Sequence, residues 1–270
     1  MSQRFILLSY HDTAEEASPD EGTSLSYNRI HYDTVSDTSF WKAIIAEFLA
    51  LVLLVPLGAG SSVPWLEPNA PTVVQIALAN GFMIATLLHC FTAVSGAHVN
   101  PAVTISFAVH RQISVLRCLL YVVFQCAGAC LGAVILNVVT PEEVHERANG
   151  TLGCTILAPE VSAGQGFLLE FVISFQLILT IFVAVDEGRF DLKGSGALAV
   201  GLAVACGILF GFPYTGASMN PARSFGTAAL QGNFTDHWIY WLAPILGGIT
   251  AATFYEWFFS QRRSRPRPNH

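Results

Sequence analysis

Ser95-Gly96-Ala97-His98-Val99-Asn100-Pro101-Ala102-Val103 in the first half of the chain is echoed by Thr215-Gly216-Ala217-Ser218-Met219-Asn220-Pro221-Ala222-Arg223 in the second. Each stretch places Asn-Pro-Ala at the head of a short apolar run, Asn100 to His110 and Asn220 to Leu230. Proline suits the first turn of a helix, where its missing N–H would be unpaired in any case. At roughly 1.5 Å per residue each run extends ~16 Å, about half of a hydrocarbon core ~30 Å thick. The spacing predicts two half-helices that enter a membrane and stop.

Six longer apolar stretches surround them, near 41–62, 72–94, 113–139, 164–185, 195–212 and 237–259. A spanning helix needs about 20 residues, so each is long enough. Composition agrees: of 270 residues 53% are hydrophobic and 12% charged, with mean hydropathy +0.52. Soluble domains carry roughly 25% charged residues, so lipid is the expected solvent and an all-α membrane protein the expected fold class. Ala46-Glu47-Phe48 in the first span is matched by Leu169-Glu170-Phe171 in the fourth, and the Glu-to-Asn separations are 53 and 50 residues. Each half has three spans, an odd number, so the second half must lie upside down relative to the first. Inverted repeats with broken helices set their functional site at the bilayer midplane, where the half-helix ends meet.

The flanks divide the chain further. Residues 1–39 hold seven acids against Arg4 and Arg29 and are rich in Ser and Thr, which reads as a disordered cytoplasmic tail. That segment lacks the basic and apolar regions of a cleaved signal peptide. Residues 40–260 read as one membrane domain, with repeat halves about 40–140 and 163–260, and 261–270 as a basic cytoplasmic tail. With both termini inside, Arg111, Arg117, Arg189, Lys193 and the C-terminal arginines are all cytoplasmic, as the positive-inside rule asks. The sequons at Asn149 and Asn233 then fall outside as candidate N-glycosylation sites. No basic surface accompanies the C-terminal arginines, so no nucleic-acid partner is expected. Five of the six cysteines lie inside apolar segments; Cys126 and Cys130 share a helix face but have no His or carboxylate beside them. They read as small apolar filler, and no metal or cofactor is expected.

Asn100 and Asn220 stand at the positive ends of the half-helices, and each amide offers N–H donors at the midplane. Each Asn also suits a helix cap, with its carbonyl capping while its amide faces the pore. Backbone carbonyls of Gly96–Val99 and Gly216–Met219 supply acceptors. Opposed half-helix dipoles exclude protons and cations. Glu47 and Glu170 are carboxyls within spans, costly unless partnered, and read either as a proton relay or as supports for the loop backbone.

The two Asn-Pro-Ala loops, 120 residues apart in a six-span inverted repeat, resemble the signature loops of the aquaporins, over about 40–259. The resemblance implies an aquaporin-like fold of six transmembrane helices plus two re-entrant half-helices, and a homotetramer with one pore per subunit. It also favours loop support for Glu47 and Glu170, and places His98 at the cytoplasmic approach. His237-Trp238-Ile239-Tyr240-Trp241 and Tyr255-Glu256 look closer to animal water-type members than to bacterial glycerol channels. By the same resemblance Arg223 is the fixed cation of an outer constriction completed by Asn80, Ile208 and Ala217. Water-selective members usually carry an aromatic at the first of these positions and His at the second; this chain has neither. An apolar wall at Ile208 and Ala217 suits the carbon face of a small neutral solute, so water with leakage of glycerol or urea is expected. Ala217 also replaces the Cys that commonly confers mercury block. A poorly conducting junctional or signalling protein is the alternative; an ion-coupled transporter would show saturable flux. No nucleophile–base pair suggests an enzyme.

Overall fold

The computed structural model describes residues 36–65, 70–148, 151–186 and 194–260. The acidic tail, Asn149, Arg189, Lys193 and the terminal arginines lie outside the described residues. Among those described, the elements are helical throughout: α1 (Thr38–Gly58) running into a 3₁₀ turn at Ala59–Ser62, α2 (Val73–Ser95), the half-helix α3 (Pro101–Val109), α4 (Val115–Val139) and a short α5 (Glu142–Arg147). The second half gives α6 (Ala163–Val185), α7 (Gly196–Thr215), the half-helix α8 (Pro221–Gln231) and α9 (Ile239–Phe258).

Local signals start these helices. Asp37 caps α1 by accepting from the Ser39 backbone N–H at 2.9 Å. The bonds from Ser39 hold its carboxyl below the ordinary aspartate range. Thr72 with Gln75 and Ser162 with Gln165 form capping boxes at the heads of α2 and α6. The fifth span, expected to end at 212, continues through Pro213 to Thr215 and stops at Gly216, whose φ is 77°. A proline already has helical φ and forfeits one backbone bond, so it bends the last turn without ending it.

Five helices, α1 with its turn, α2, α4, α6 and α7, are long and apolar enough to cross a membrane. α9 is 20 residues long but falls short of these five in hydropathy, its run diluted by Pro244, Gly247, Gly248 and Glu256. Large apolar side chains such as Leu53, Leu57, Phe82, Val123, Leu168 and Phe210 stay exposed on these helices. Water would penalise such a surface, and lipid does not.

The helices pair in the same way in both halves, α1 against α4 and α6 against α9. Close approach at these crossings depends on glycine. A Cβ on Gly128 would sit 2.2 Å from the Phe48 carbonyl oxygen, and one on Gly247 would sit 2.5 Å from that of Phe171. The Gly128/Gly132 pair therefore packs inside the subunit against α1, leaving no room there for a neighbouring copy. The central apolar cluster draws on both halves, joining Leu51, Leu54 and Leu87 to Ile173, Leu177, Val204 and Ile208.

Candidate functional site

Each re-entrant loop begins where a spanning helix ends in a left-handed glycine, Gly96 (φ 83°) after α2 and Gly216 (φ 77°) after α7. The first and third residues after each glycine are left-handed too: Ala97 and Val99 have φ 48° and 55°, Ala217 and Met219 47° and 53°. A left-handed non-glycine residue costs on the order of 1–3 kcal/mol and persists only where surroundings enforce it.

The enforcing groups are Glu47 and Glu170, both fully buried. Glu47 Oε1 accepts from the His98 N–H at 2.9 Å and from Ser95 Oγ at 2.7 Å, while Oε2 accepts from the Val99 N–H at 2.6 Å and from Gln125 Nε2 at 2.8 Å. Glu170 does the same to the other loop: Oε1 takes Ser218 N–H at 2.8 Å and Thr215 Oγ1 at 2.7 Å, and Oε2 takes Met219 N–H at 2.9 Å. The Ala97 and Ala217 N–H groups donate to Ser95 Oγ and Thr215 Oγ1. In a trans peptide the carbonyl points opposite to the N–H. Tying three successive N–H groups to one side thus turns the carbonyls of Gly96, Ala97 and His98, and of Gly216, Ala217 and Ser218, to the other. Those six residues line one cavity.

The two halves are stitched together at the Asn-Pro-Ala motifs. Asn100 Oδ1 caps its own half-helix through the Ala102 N–H at 2.8 Å, and Asn220 Oδ1 caps its own through Ala222 and Arg223 at 3.1 and 3.2 Å. Asn100 Nδ2 then donates to the Met219 carbonyl at 2.8 Å, and Asn220 Nδ2 to the Val99 carbonyl, also at 2.8 Å. This exchange refines the sequence reading in two ways. One N–H of each amide is committed to the opposite loop, so one remains for the lumen. The Val99 and Met219 carbonyls, counted among the pore acceptors, serve instead as crosslinks. Pro101 and Pro221 open the half-helices with Ala102 and Ala222 buried behind them.

The cavity runs past both asparagines and has two unlike walls. Asn80, His98, Asn100, Asn220, Arg223 and the loop residues are polar lining; Ile84, Leu88, Leu177, Val200, Val204 and Ile208 are among the apolar lining. Asn80, Ile208, Ala217 and Arg223 all border it. Arg223 Nη1 is buried and finds no hydrogen-bond partner among the described residues. His98 has its Nδ1 3.1 Å from Thr104 Oγ1 and its ring against Phe107, at 4.7 Å between centroids. Asn233 stands apart from the cavity, after α8, its Oδ1 accepting from the Thr235 N–H. Among the described residues no group of three or more His, Cys, Asp or Glu gathers as a metal site would require.

The supporting role of several residues escaped the sequence reading. Tyr121 and Tyr240 donate their hydroxyls to the Ser95 and Thr215 carbonyls at 2.8 and 2.9 Å, pinning the last turn before each loop. Their signal was present, a tyrosine within the first two turns of the third span of each half, but motif matching around Asn-Pro-Ala does not reach that far. Gln125 and Thr155, which bind Glu47 and Ser224, carry no local signature at all.

Two loops that bring backbone carbonyls to one cavity, held by buried carboxylates inside a bundle of lipid-facing helices, define a transmembrane channel. The major intrinsic protein family model matches residues 34–255. Over 224 residues the chain is 48% identical to aquaporin-4 of Mus musculus, covering 82% of this chain and 68% of the relative. It is 47% identical, again over 224 residues, to the lens fiber major intrinsic protein of Homo sapiens, covering 83% of each. Among solved structures it superposes on the aquaglyceroporin from Plasmodium falciparum with a TM-score of 0.70 at 25% identity, covering 80% of this chain and 96% of that one. The chain belongs to the major intrinsic protein (aquaporin) family, and so is an integral membrane channel and not an enzyme.

Proposed function

We propose that this channel passes water in single file, excludes protons and ions, and admits small neutral solutes such as glycerol or urea. The observation that carries the reading is the two-walled cavity, in which both asparagines and six loop residues face a wall of aliphatic side chains. A water molecule shed of its bulk neighbours needs only replacement bonds, each worth about 1 kcal/mol net, which the carbonyls and asparagine amides offer. A cation would lose hydration worth several kcal/mol or more and meet the positive ends of α3 and α8. The solute leak follows from Ile208 and Ala217, which leave the outer part of the pore without a histidine or thiol on that side.

The channel is taken to work as a homotetramer with one pore in each subunit, in the plasma membrane, with both termini cytoplasmic and Asn149 and Asn233 outside. Stopped-flow swelling of proteoliposomes tests the reading. Wild type is expected to pass water and glycerol, and Ile208→His to suppress glycerol. Water without glycerol would remove the leak, and absence of water flux would remove the reading itself.

A further inference from the structure

The donor and acceptor pattern around Asn80 narrows the solute class, on the premise that the cavity conducts as just described. Asn80 sits two turns into α2, buried to 8% exposure, where its Nδ2 donates to the Ile76 carbonyl at 2.8 Å and the Gly58 carbonyl at 3.1 Å, with Ser61 Oγ at 3.3 Å. Ser61 Oγ itself donates to the Gly58 carbonyl at 2.6 Å, so the end of α1 and its 3₁₀ turn form a nest of acceptors. Rotating the amide by half a turn would set Oδ1 against two carbonyl oxygens. Its orientation is therefore locked: the donors face the wall, and Oδ1 is left as an acceptor only. Oδ1 makes no hydrogen bond to a described group and keeps accessible surface. Room for it depends on Gly58, where a Cβ would lie 2.7 Å from Oδ1.

The Arg223 guanidinium, carried by α8, borders the same cavity and is the converse group, able only to donate. Ile208 and Ala217 between them contribute no side-chain hydrogen-bonding atoms. A solute that passes must give up its hydration to one obligate acceptor, one obligate donor and an apolar surface.

We propose that Asn80 Oδ1 and Arg223 make this a filter that favours small amides, with urea as the representative solute, over polyols of equal size. The urea carbonyl accepts from the guanidinium, its N–H groups donate to Asn80 Oδ1 and to the loop carbonyls, and its planar face lies on Ile208. A polyol presents fewer donors for the same number of heavy atoms. It must also leave an acceptor lone pair on each hydroxyl to face aliphatic carbon, which costs it part of its hydration.

Urea and ethylene glycol have equal numbers of non-hydrogen atoms, so their flux ratio removes size from the comparison. In proteoliposomes, corrected for the lipid background, wild type is expected to pass urea about fivefold faster than ethylene glycol, the weight of one net hydrogen bond. Asn80→Leu, with the same branched four-atom side chain but without the acceptor, is expected to bring the ratio near unity. A wild-type ratio of one or less overturns the inference even if the variant does not fold. A ratio that Asn80→Leu leaves unchanged also overturns it, and assigns discrimination to another part of the pore. Water-permeable vesicles that pass neither solute sink this inference while water conduction stands; vesicles that pass no water sink the conduction reading.

Discussion

The two halves of the molecule solve one problem with different amounts of support. In the first half the buried carboxylate of Glu47 accepts four bonds, from Ser95, His98, Val99 and Gln125. In the second, Glu170 accepts three, from Thr215, Ser218 and Met219. The position along α9 that answers Gln125 is taken by Pro244, one turn after the pinning tyrosine in both cases. Gln125 also reaches Thr104 Oγ1 at 3.0 Å, joining the support of the loop to the first half-helix. The second half makes that join from outside: Thr155, from the segment before α6, donates to Ser224 Oγ at 2.7 Å, and Ser224 contacts Ser218. Loop geometry is thus conserved between the halves while its bracing is not. The backbone shape is what the pore requires, and any set of buried partners that satisfies the N–H groups will serve.

The largest effect that would sharpen this comparison comes from removing the carboxylates. Glu47→Ala strands four donors and Glu170→Ala three, at about 1–3 kcal/mol for each buried donor that finds no substitute. Both variants should lose much of their folded yield in detergent, and thermal unfolding followed by tryptophan fluorescence should place Glu47→Ala lower. Equal losses would break the distinction between the halves. A smaller effect is expected at the helix crossings, where overpacking costs about 1–3 kcal/mol. Gly128→Ala should lower the unfolding midpoint more than Gly247→Ala, because the first would press its methyl to 2.2 Å from a carbonyl and the second to 2.5 Å. The reverse order would mean that α6 and α9 are the less adjustable pair. The smallest effect concerns thiols. Neither loop carries a cysteine, and none borders the cavity, so mercuric chloride should leave water permeability within experimental scatter. Strong block abolished by Cys206→Ser or Cys154→Ser would show that a thiol outside the cavity can close it.

Much of the fold was legible because the membrane simplifies the problem. Six apolar stretches and two proline-headed half-runs located the spans and half-helices to within a few residues, since lipid demands continuous internal hydrogen bonding. Where the boundaries shifted, as at Pro213, a residue read as an end proved compatible with one more turn. The Glu and Asn of each repeat could be paired from spacing alone. Their partners could not. Gly128 and Gly132 stand four residues apart, a spacing that suits close helix packing but names no partner, and only the contact with Phe48 places the pair inside the subunit.

The sequence by itself determined that this is a membrane protein built from an inverted repeat with two Asn-Pro-Ala half-helices. Those facts rest on hydrophobic length and on motif spacing, which are local and additive along the chain. The tertiary structure decided which side of each loop carries the carbonyls, that each asparagine spends one N–H on the opposite loop, and that Asn80 is an acceptor. Each of these depends on which atom meets which across more than 20 residues of separation. A hydrogen-bonding group has its chemistry written in its residue type, but its direction is set by the partner that folding brings to it.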